Sequence, residues 1–311
     1  MTALTLLQPG LMMTVQDRGR LGLLRSGVSR SGPMDASAFA IANALVGNGP
    51  AAAALEFAVI GGRLSVDRPV LVAVTGGAVD IRIDGRAVPG WESHRLSPGE
   101  VLSIGAMRGA VWGYVAVSGG IDTPPVLGAR ATHLRTAVGG LDGRVLAGGD
   151  VLPLGEGAPG PARRLTAIWR RSGGPVRVIP GPQADHFDAA GWAVFLRQAF
   201  AVSSRRDRMA TVLEGPPVVA AKGHDIVSDA TLAGSIQVPG SGNPIVLMAD
   251  RQTTGGYPKI ATVASVDLPR LAQMVTGARL RFAAIDQAEG EALLLAERKA
   301  LADAIDSLAA S

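Results

Sequence analysis

The sequence of 311 residues contains no cysteine. That excludes disulfides, thiolate metal sites and a cysteine nucleophile. Lysine is nearly absent too: of 30 basic residues 27 are arginine, and the lysines are Lys222, Lys259 and Lys299. None of the three lies in a Met-Lys-Met-like context, so the chain is not expected to carry biotin itself. Charged residues make up only 18%, with a formal net charge of +4. The arginines are scattered, without a basic block or an aromatic-interleaved basic stripe, which argues against a nucleic-acid partner. The pairs Arg163-Arg164, Arg170-Arg171 and Arg205-Arg206 read as solvated loop charges. No apolar run approaches the ~20 residues that a membrane-spanning helix needs. The first residues, MTALTLLQPG, have neither a basic n-region nor a long apolar h-region. The expectation is a cytoplasmic protein with no membrane association.

Catalytic signatures are missing as well. There is no G-x-x-x-x-G-K-S/T phosphate loop, no G-x-S-x-G nucleophile elbow and no H-E-x-x-H zinc motif. The four histidines, His94, His133, His186 and His224, are far apart, and none pairs at metal-ligand spacing. No metal site is expected.

What the chain does have is 41 glycines and 20 prolines spread at turn-like intervals between Val-rich runs. That pattern predicts many short strands joined by tight turns, a mainly β fold. Asp84-Gly85 between IRI and RAV predicts a hairpin turn, and Pro98-Gly99 another turn. Asp35 or Ser37 is placed to cap a helix running through Val46, with Gly47 and Asn48 as its stop. A second helix is expected over about Ala184–Gln198. Asp286 followed by Glu289 resembles a capping box that opens an amphipathic C-terminal helix, with Leu294, Leu301, Ile305 and Leu308 as its stripe. The expected organisation is an N-terminal β lobe (1–157), a linker (158–175), a C-terminal β lobe (176–285) and the C-terminal helix (286–311). VSRSGPM and VSSRRDRM echo each other weakly across the lobes, suggestive of a duplicated unit.

The densest hydrogen-bonding stretch is Ser235–Val263, SIQVPGSGNPIVLMADRQTTGGYPKIATV. Read as a strand, it sends Asp250 and Gln252 to one face and Arg251 to the other. A carboxylate beside an amide, which donates and accepts at once, suits a urea-like or lactam group. Thr253, Thr254, Gly255 and Gly256 are expected to form an anion- or oxyanion-binding turn. Lys259 is placed to neutralise a carboxylate or phosphate. Asp250, Lys259 and Gln252 are the catalytic candidates; Gln237, Arg251, Thr253, Thr254, Gly255 and Tyr257 are expected to line a substrate. The same pattern also fits a hairpin whose polar residues satisfy one another. Asp17, Arg18, Met34 and Arg208 are further ligand-contact candidates, with loop-stapling ion pairs as the alternative for the Asp-Arg neighbours. Glu56 and Glu214 read equally well as structural.

TVQDRGR, GVSRSGPMD, AIANALVGN, YVAVSGGID, PPVLGARAT, VIPGPQADHF, DRMATVLEGPP and SDATLAGSIQVPGSGNPIVLMADRQTTGGYPKIATV together resemble the allophanate hydrolase subunit 2 family. That family is also described as biotin-dependent carboxyltransferase-like. The resemblance runs from about Leu6 to Phe282. It implies two tandem cyclophilin-like β-barrel lobes. It also implies a companion protein of the subunit 1 family, and in some members a third lactam-utilisation subunit. The first implied activity is that of a subunit of an ATP-dependent 5-oxoprolinase-type complex, inactive alone, that hydrolyses a cyclic amide. ATP would then be used by the assembly without a P-loop on this chain. The alternatives are a carboxyltransferase component that takes carboxyl from biotin on a separate carrier to urea or a related amide, and a regulator that binds a kinase-inhibitor companion. The serine amidase signature of true allophanate hydrolases is absent, which argues against that activity.

Overall fold

The structure, a computed structural model, describes residues 2–157, 160–169 and 171–310. Of the expected linker, Ala158, Pro159 and Arg170 lie outside the described residues. The chain forms two compact units. The first comprises Met1–Leu21, Ser31–Arg170 and Ala300–Ser311; the second comprises Gly22–Arg30 and Arg171–Lys299.

In the first unit a six-stranded sheet has the order Val151–Pro153, Ala3–Pro9, Ile60–Val66, Val101–Arg108, Ala78–Ile83, Arg86–Val88. A five-stranded sheet has the order Thr14–Gln16, Ala54–Ala58, Trp112–Val117, Val70–Thr75, Ser93–Leu96. Both contribute to one core, in which Leu4, Leu6, Leu64 and Leu102 meet Val72, Val115 and Val117. The two sheets read differently in sequence because their surroundings differ. Val101–Arg108 alternates buried and exposed residues, as a strand with one wet face must. Val70–Thr75 and Trp112–Val117 are buried at every position. Their second face is covered by helix α1 (Ala36–Leu45), which explains their unbroken apolar runs. Asp35 caps α1 by accepting from Ala38 N at 3.1 Å. Asp84 and Gly85 take φ of 45° and 80°, the left-handed pair of a two-residue hairpin, with Ile83 opposite Arg86.

The second unit is built on an eight-stranded sheet of order Arg279–Leu280, Phe200–Arg206, Ala210–Glu214, Ile245–Leu247, Ser235–Gln237, Lys259–Val263, Val176–Pro180, Phe282–Ala284. The first and last strands of that order are separated in the chain by Arg281 alone, so the two edges of the sheet adjoin and the barrel nearly closes. Phe195, from the helix Ala189–Arg197, forms a buried cluster with Phe200 and Phe282 of the sheet, and the rings of Phe195 and Phe282 stack at 4.5 Å. The mainly β architecture and the C-terminal helix are as expected.

The helix expected over Ala184–Gln198 is split. A 3₁₀ turn, Ala184–His186, is followed by extended Phe187 and then by α2 (Ala189–Arg197). Asp188 explains the break: its carboxylate accepts from Gly191 N at 2.9 Å, so it starts a new helix and does not continue an old one. After α3 (Leu268–Gln273), α4 (Gln287–Asp306) begins at the expected cap, where Glu289 N donates to Asp286 Oδ1 at 2.8 Å. Its stripe residues Leu294, Leu301, Ile305 and Leu308 are half-buried, and Gly290 is its buried residue.

The aromatic cluster gives the stability test of the barrel. Phe195→Ala is expected to cost about 3–5 kcal/mol in chemical denaturation. Leu295→Ala, at a residue 65% exposed on α4, is expected to change stability by less than about 0.5 kcal/mol.

Candidate functional site

In the second unit a break in strand register brings polar side chains together. Ser235–Gln237 pairs with Lys259–Val263, and Ile236 lies opposite Ala261, but the next residue, Gln237, lies opposite Lys259. Ile260 is therefore the extra residue of a bulge. Without the bulge the two side chains would not be direct neighbours.

Lys259 is 1% exposed, so its ammonium needs a counter-charge. Asp229 provides it, with Oδ2 at 2.9 Å from Nζ. Gln183 braces the pair: its Nε2 donates to Asp229 Oδ2 at 3.0 Å, and its Oε1 accepts from Lys259 N at 3.2 Å. The Lys259 ammonium, then Gln183, hold the Asp229 carboxyl down at about 2, below its ordinary 3.8.

Asp229 also lies on a two-stranded ribbon, Asp229–Ala230 against Thr254–Gly255, with Asp229 opposite Gly255. Thr231 fastens the ribbon by donating from N to Thr253 O at 3.0 Å and from Oγ1 to Gln252 O. The ribbon places Gly255 against the Gln237 amide. A Cβ at Gly255 would lie 2.2 Å from Gln237 Nε2, so glycine lets the Gln237 amide pack directly against the ribbon backbone. Gln252 Nε2 donates to Gln237 Oε1 at 3.2 Å. The other half of each amide, Gln237 Nε2 and Gln252 Oε1, is buried with no partner among the described residues. Each such group costs its full desolvation penalty, about 1–3 kcal/mol, unless something binds it. The pair thus presents one free donor and one free acceptor. Reversing both amides exchanges the roles and leaves the same complement.

Gln237, Gln252, Gly255 and Lys259 of the sequence candidates are brought together in this way. Thr253 is half-buried, while Thr254 and Tyr257 are exposed. Asp250 behaves otherwise. The chain turns after Ile245–Leu247, so Asp250, Arg251 and Gln252 are not in a strand, and the expected division of faces does not occur. Asp250 is engaged by Arg208 through Nε–Oδ2 and Nη2–Oδ1 contacts, each 2.9 Å, and its own N donates to Arg208 O at 2.8 Å. This is a two-point staple between segments 42 residues apart. Thr253–Gly256 is likewise not the expected turn, because Thr254–Gly255 is taken into the ribbon.

The first-unit candidates serve their own loops. Asp17 accepts from Gly19 N at 2.9 Å, Arg130 N at 2.6 Å and Ala131 N at 3.2 Å. Met34 is buried, and its N donates to Glu56 Oε2 at 2.8 Å; Tyr114 OH donates to the same oxygen at 2.8 Å. Burial, then the Glu56 charge, push the Tyr114 hydroxyl well above its usual value. Arg18 is exposed. Among the described residues no group of acidic or histidine side chains is arranged to hold a metal, and no helix is long and apolar enough to cross a membrane.

Sequence reasoning missed Gln183 and Asp229 as site residues. A lysine at the head of a buried strand calls for a carboxylate. Asp250 stands nearer to it in sequence than Asp229 does, and the choice is made by the ribbon.

A family model for the carboxyltransferase domain, subdomain A and B, matches residues 26–284. The C subunit of 5-oxoprolinase from Escherichia coli (strain K12) is 38% identical over 283 residues, 90% of either chain. Among solved structures, TTHA0988 matches with a TM-score of 0.83 and 36% identity, over 91% of this chain and 55% of that one. The K. lactis urea amidolyase matches with a TM-score of 0.88 and 28% identity, over 96% of this chain and 20% of that one. This chain therefore spans about half of TTHA0988 and a fifth of the urea amidolyase.

The depressed Asp229 carboxyl fixes the pH dependence of the ribbon. Its ion pair stabilises fully above the ordinary carboxyl value of 3.8 and is lost as pH falls through about 2. Between those limits wild-type stability should fall more steeply than that of Asp229→Asn, as read from urea midpoints. Parallel curves would show that the pair contributes nothing.

Proposed function

The chain belongs to the carboxyltransferase domain family of subdomains A and B, and from that membership we propose that it is a subunit of an ATP-dependent 5-oxoprolinase-type complex that opens the lactam of 5-oxoproline to glutamate. The observation that carries this reading is the pair of unfilled amide atoms, Gln237 Nε2 and Gln252 Oε1. In a lactam the amide is held cis, so its carbonyl and N–H point to the same side. A free donor and a free acceptor on two hydrogen-bonded amides are complementary in kind to that edge: Gln237 donates to the carbonyl oxygen while Gln252 accepts from the N–H. Near-full-length similarity to the C subunit of a 5-oxoprolinase supports the same assignment.

The roles of the neighbours follow. Gly255 lets the Gln237 amide sit against the ribbon. Donation from Gln237, beside the Lys259 ammonium, draws electron density onto the carbonyl oxygen and makes its carbon more open to attack. Asp229 and Gln183 are positioning residues that hold Lys259. The cluster does not fit a nucleotide. Its ammonium is already neutralised by Asp229, whereas a triphosphate needs several unneutralised donors. ATP handling is thus assigned to companion chains, of which a subunit 1 family protein is the first and a lactam-utilisation subunit the second.

The structural match to the K. lactis urea amidolyase favours a second reading, a carboxyltransferase component acting on urea or a related amide. Urea also offers a carbonyl and an N–H on one edge. That reading requires biotin on a separate carrier.

The test is reconstitution. Mixed with its companion subunits, the chain should release glutamate and phosphate from 5-oxoproline and ATP, and should release neither alone. Gln237→Leu and Gly255→Ala should each lower kcat/KM by about 10- to 100-fold, the value of one lost hydrogen bond to a buried partner, with little change in melting temperature. Turnover that needs a biotinylated carrier would select the second reading. Wild-type rates in both variants would remove the amide pair from the site.

A further inference from the structure

The described residues of the second unit bury several cations that have an ion pair or hydrogen-bond acceptors. Arg208 is clamped by Asp250, Lys259 by Asp229 and Arg177 by Asp267. Arg206 donates to the carbonyls of Ala272 and Met274. Arg251 differs. Its side chain is only 4% exposed, its Nε is fully enclosed without a partner, and its guanidinium makes no hydrogen bond or ion pair among the described residues. Asp250, next to it in the chain, is no counter-ion, because its carboxylate is engaged by Arg208.

The charge that acts on Arg251 has the same sign. Burial, then repulsion from Arg30, lower the pKa of its guanidinium, and no carboxylate opposes them. Arg30 belongs to the segment Gly22–Arg30, which is counted with the second unit and is tied to the Asp250 turn by Ser29 Oγ donating to Ala249 O at 3.4 Å. A fold that sets one guanidinium near a second, buried and unpaired, bears a cost that an anion removes. The residue that follows Arg251 is Gln252, whose Oε1 is the unfilled acceptor of the amide pair.

We propose that Arg251, with Arg30 beside it, forms an oxyanion subsite next to the Gln237–Gln252 amide pair, and that it takes a carboxylate or phosphoryl group. The oxyanion half stands on Arg251 alone; that the oxyanion and the amide belong to one ligand rests on the proposed binding of an amide edge by the two glutamines. Guanidinium is suited to this role, since its planar donors match two oxygens of either group. A ligand with an anionic group close to an amide would be held at both ends, and a neutral amide at one.

The full chain, titrated by calorimetry with inorganic phosphate, 5-oxoproline and 2-pyrrolidinone (the same ring without the carboxylate), separates the possibilities. Binding of 5-oxoproline or phosphate should weaken by about 10-fold or more in Arg251→Met, the loss of a charge-assisted contact. Binding of 2-pyrrolidinone should be unchanged. In anion-free buffer Arg251→Met should melt at or above the wild-type temperature, because it removes an unpaired buried charge, and only the wild type should gain stability from the oxyanion. If 5-oxoproline favours the subsite and phosphate does not, the group recognised is the carboxylate; the reverse identifies a phosphoryl group. Equal oxyanion binding by both proteins, or a large fall in the melting temperature of Arg251→Met, overturns the proposal. Binding of 2-pyrrolidinone without an Arg251-dependent oxyanion effect overturns it and leaves the amide reading standing. Arg251-dependent oxyanion binding without any lactam binding upholds the subsite and removes the amide reading.

Discussion

One buried ammonium organises the candidate site. Lys259 begins a strand inside a nearly closed barrel, where an uncompensated charge is not tolerated. Its partner cannot come from the neighbouring strand, because the bulge at Ile260 places an uncharged residue, Gln237, opposite it. The carboxylate arrives from Asp229, on a ribbon that the same pairing holds in place. The ribbon's second strand carries Gly255 against Gln237, and Thr231 binds the backbone of Gln252. The ion pair, the packing of Gly255 against the first amide and the setting of the second amide all come from that ribbon.

The site combines satisfied and unsatisfied groups in a way that a core does not. Asp17 has three backbone donors, and Asp250 has a two-point contact with Arg208. Gln237 and Gln252 satisfy half of each amide on the other and leave the remaining halves without a partner among the described residues. Arg251, one residue away in the chain, has no counter-ion among the described residues. Unmet donors and acceptors within so short a stretch of chain are what a polar ligand would complete.

Much of the fold was legible in the sequence because local rules govern it. The Asp84-Gly85 hairpin, the Asp35 cap of α1 and the Asp286 cap of α4 each depend on residues within a few positions. So did the placing of Lys259 in a strand. The errors arose where partners are distant. Asp250 looked like a free carboxylate because Arg208, 42 residues before it, carries no local sign of pairing with it. Asp250–Gln252 looked like a strand because the alternation is there, but the chain turns after Leu247. Thr254–Gly255 looked like a turn because nothing local announces the strand Asp229–Ala230 that pairs with it. Gln183 escaped notice because one of its two contacts is to a backbone nitrogen, which leaves no trace in residue type.

The central claim is that Gln237 and Gln252 bind one amide edge together. The most direct measurement is the side-chain amide signals of both glutamines, followed by ¹⁵N NMR during titration of the chain with a lactam. The account predicts that the two sets of signals shift together and saturate with one dissociation constant. Signals that stay fixed at saturating lactam, or that move with different constants, would contradict it.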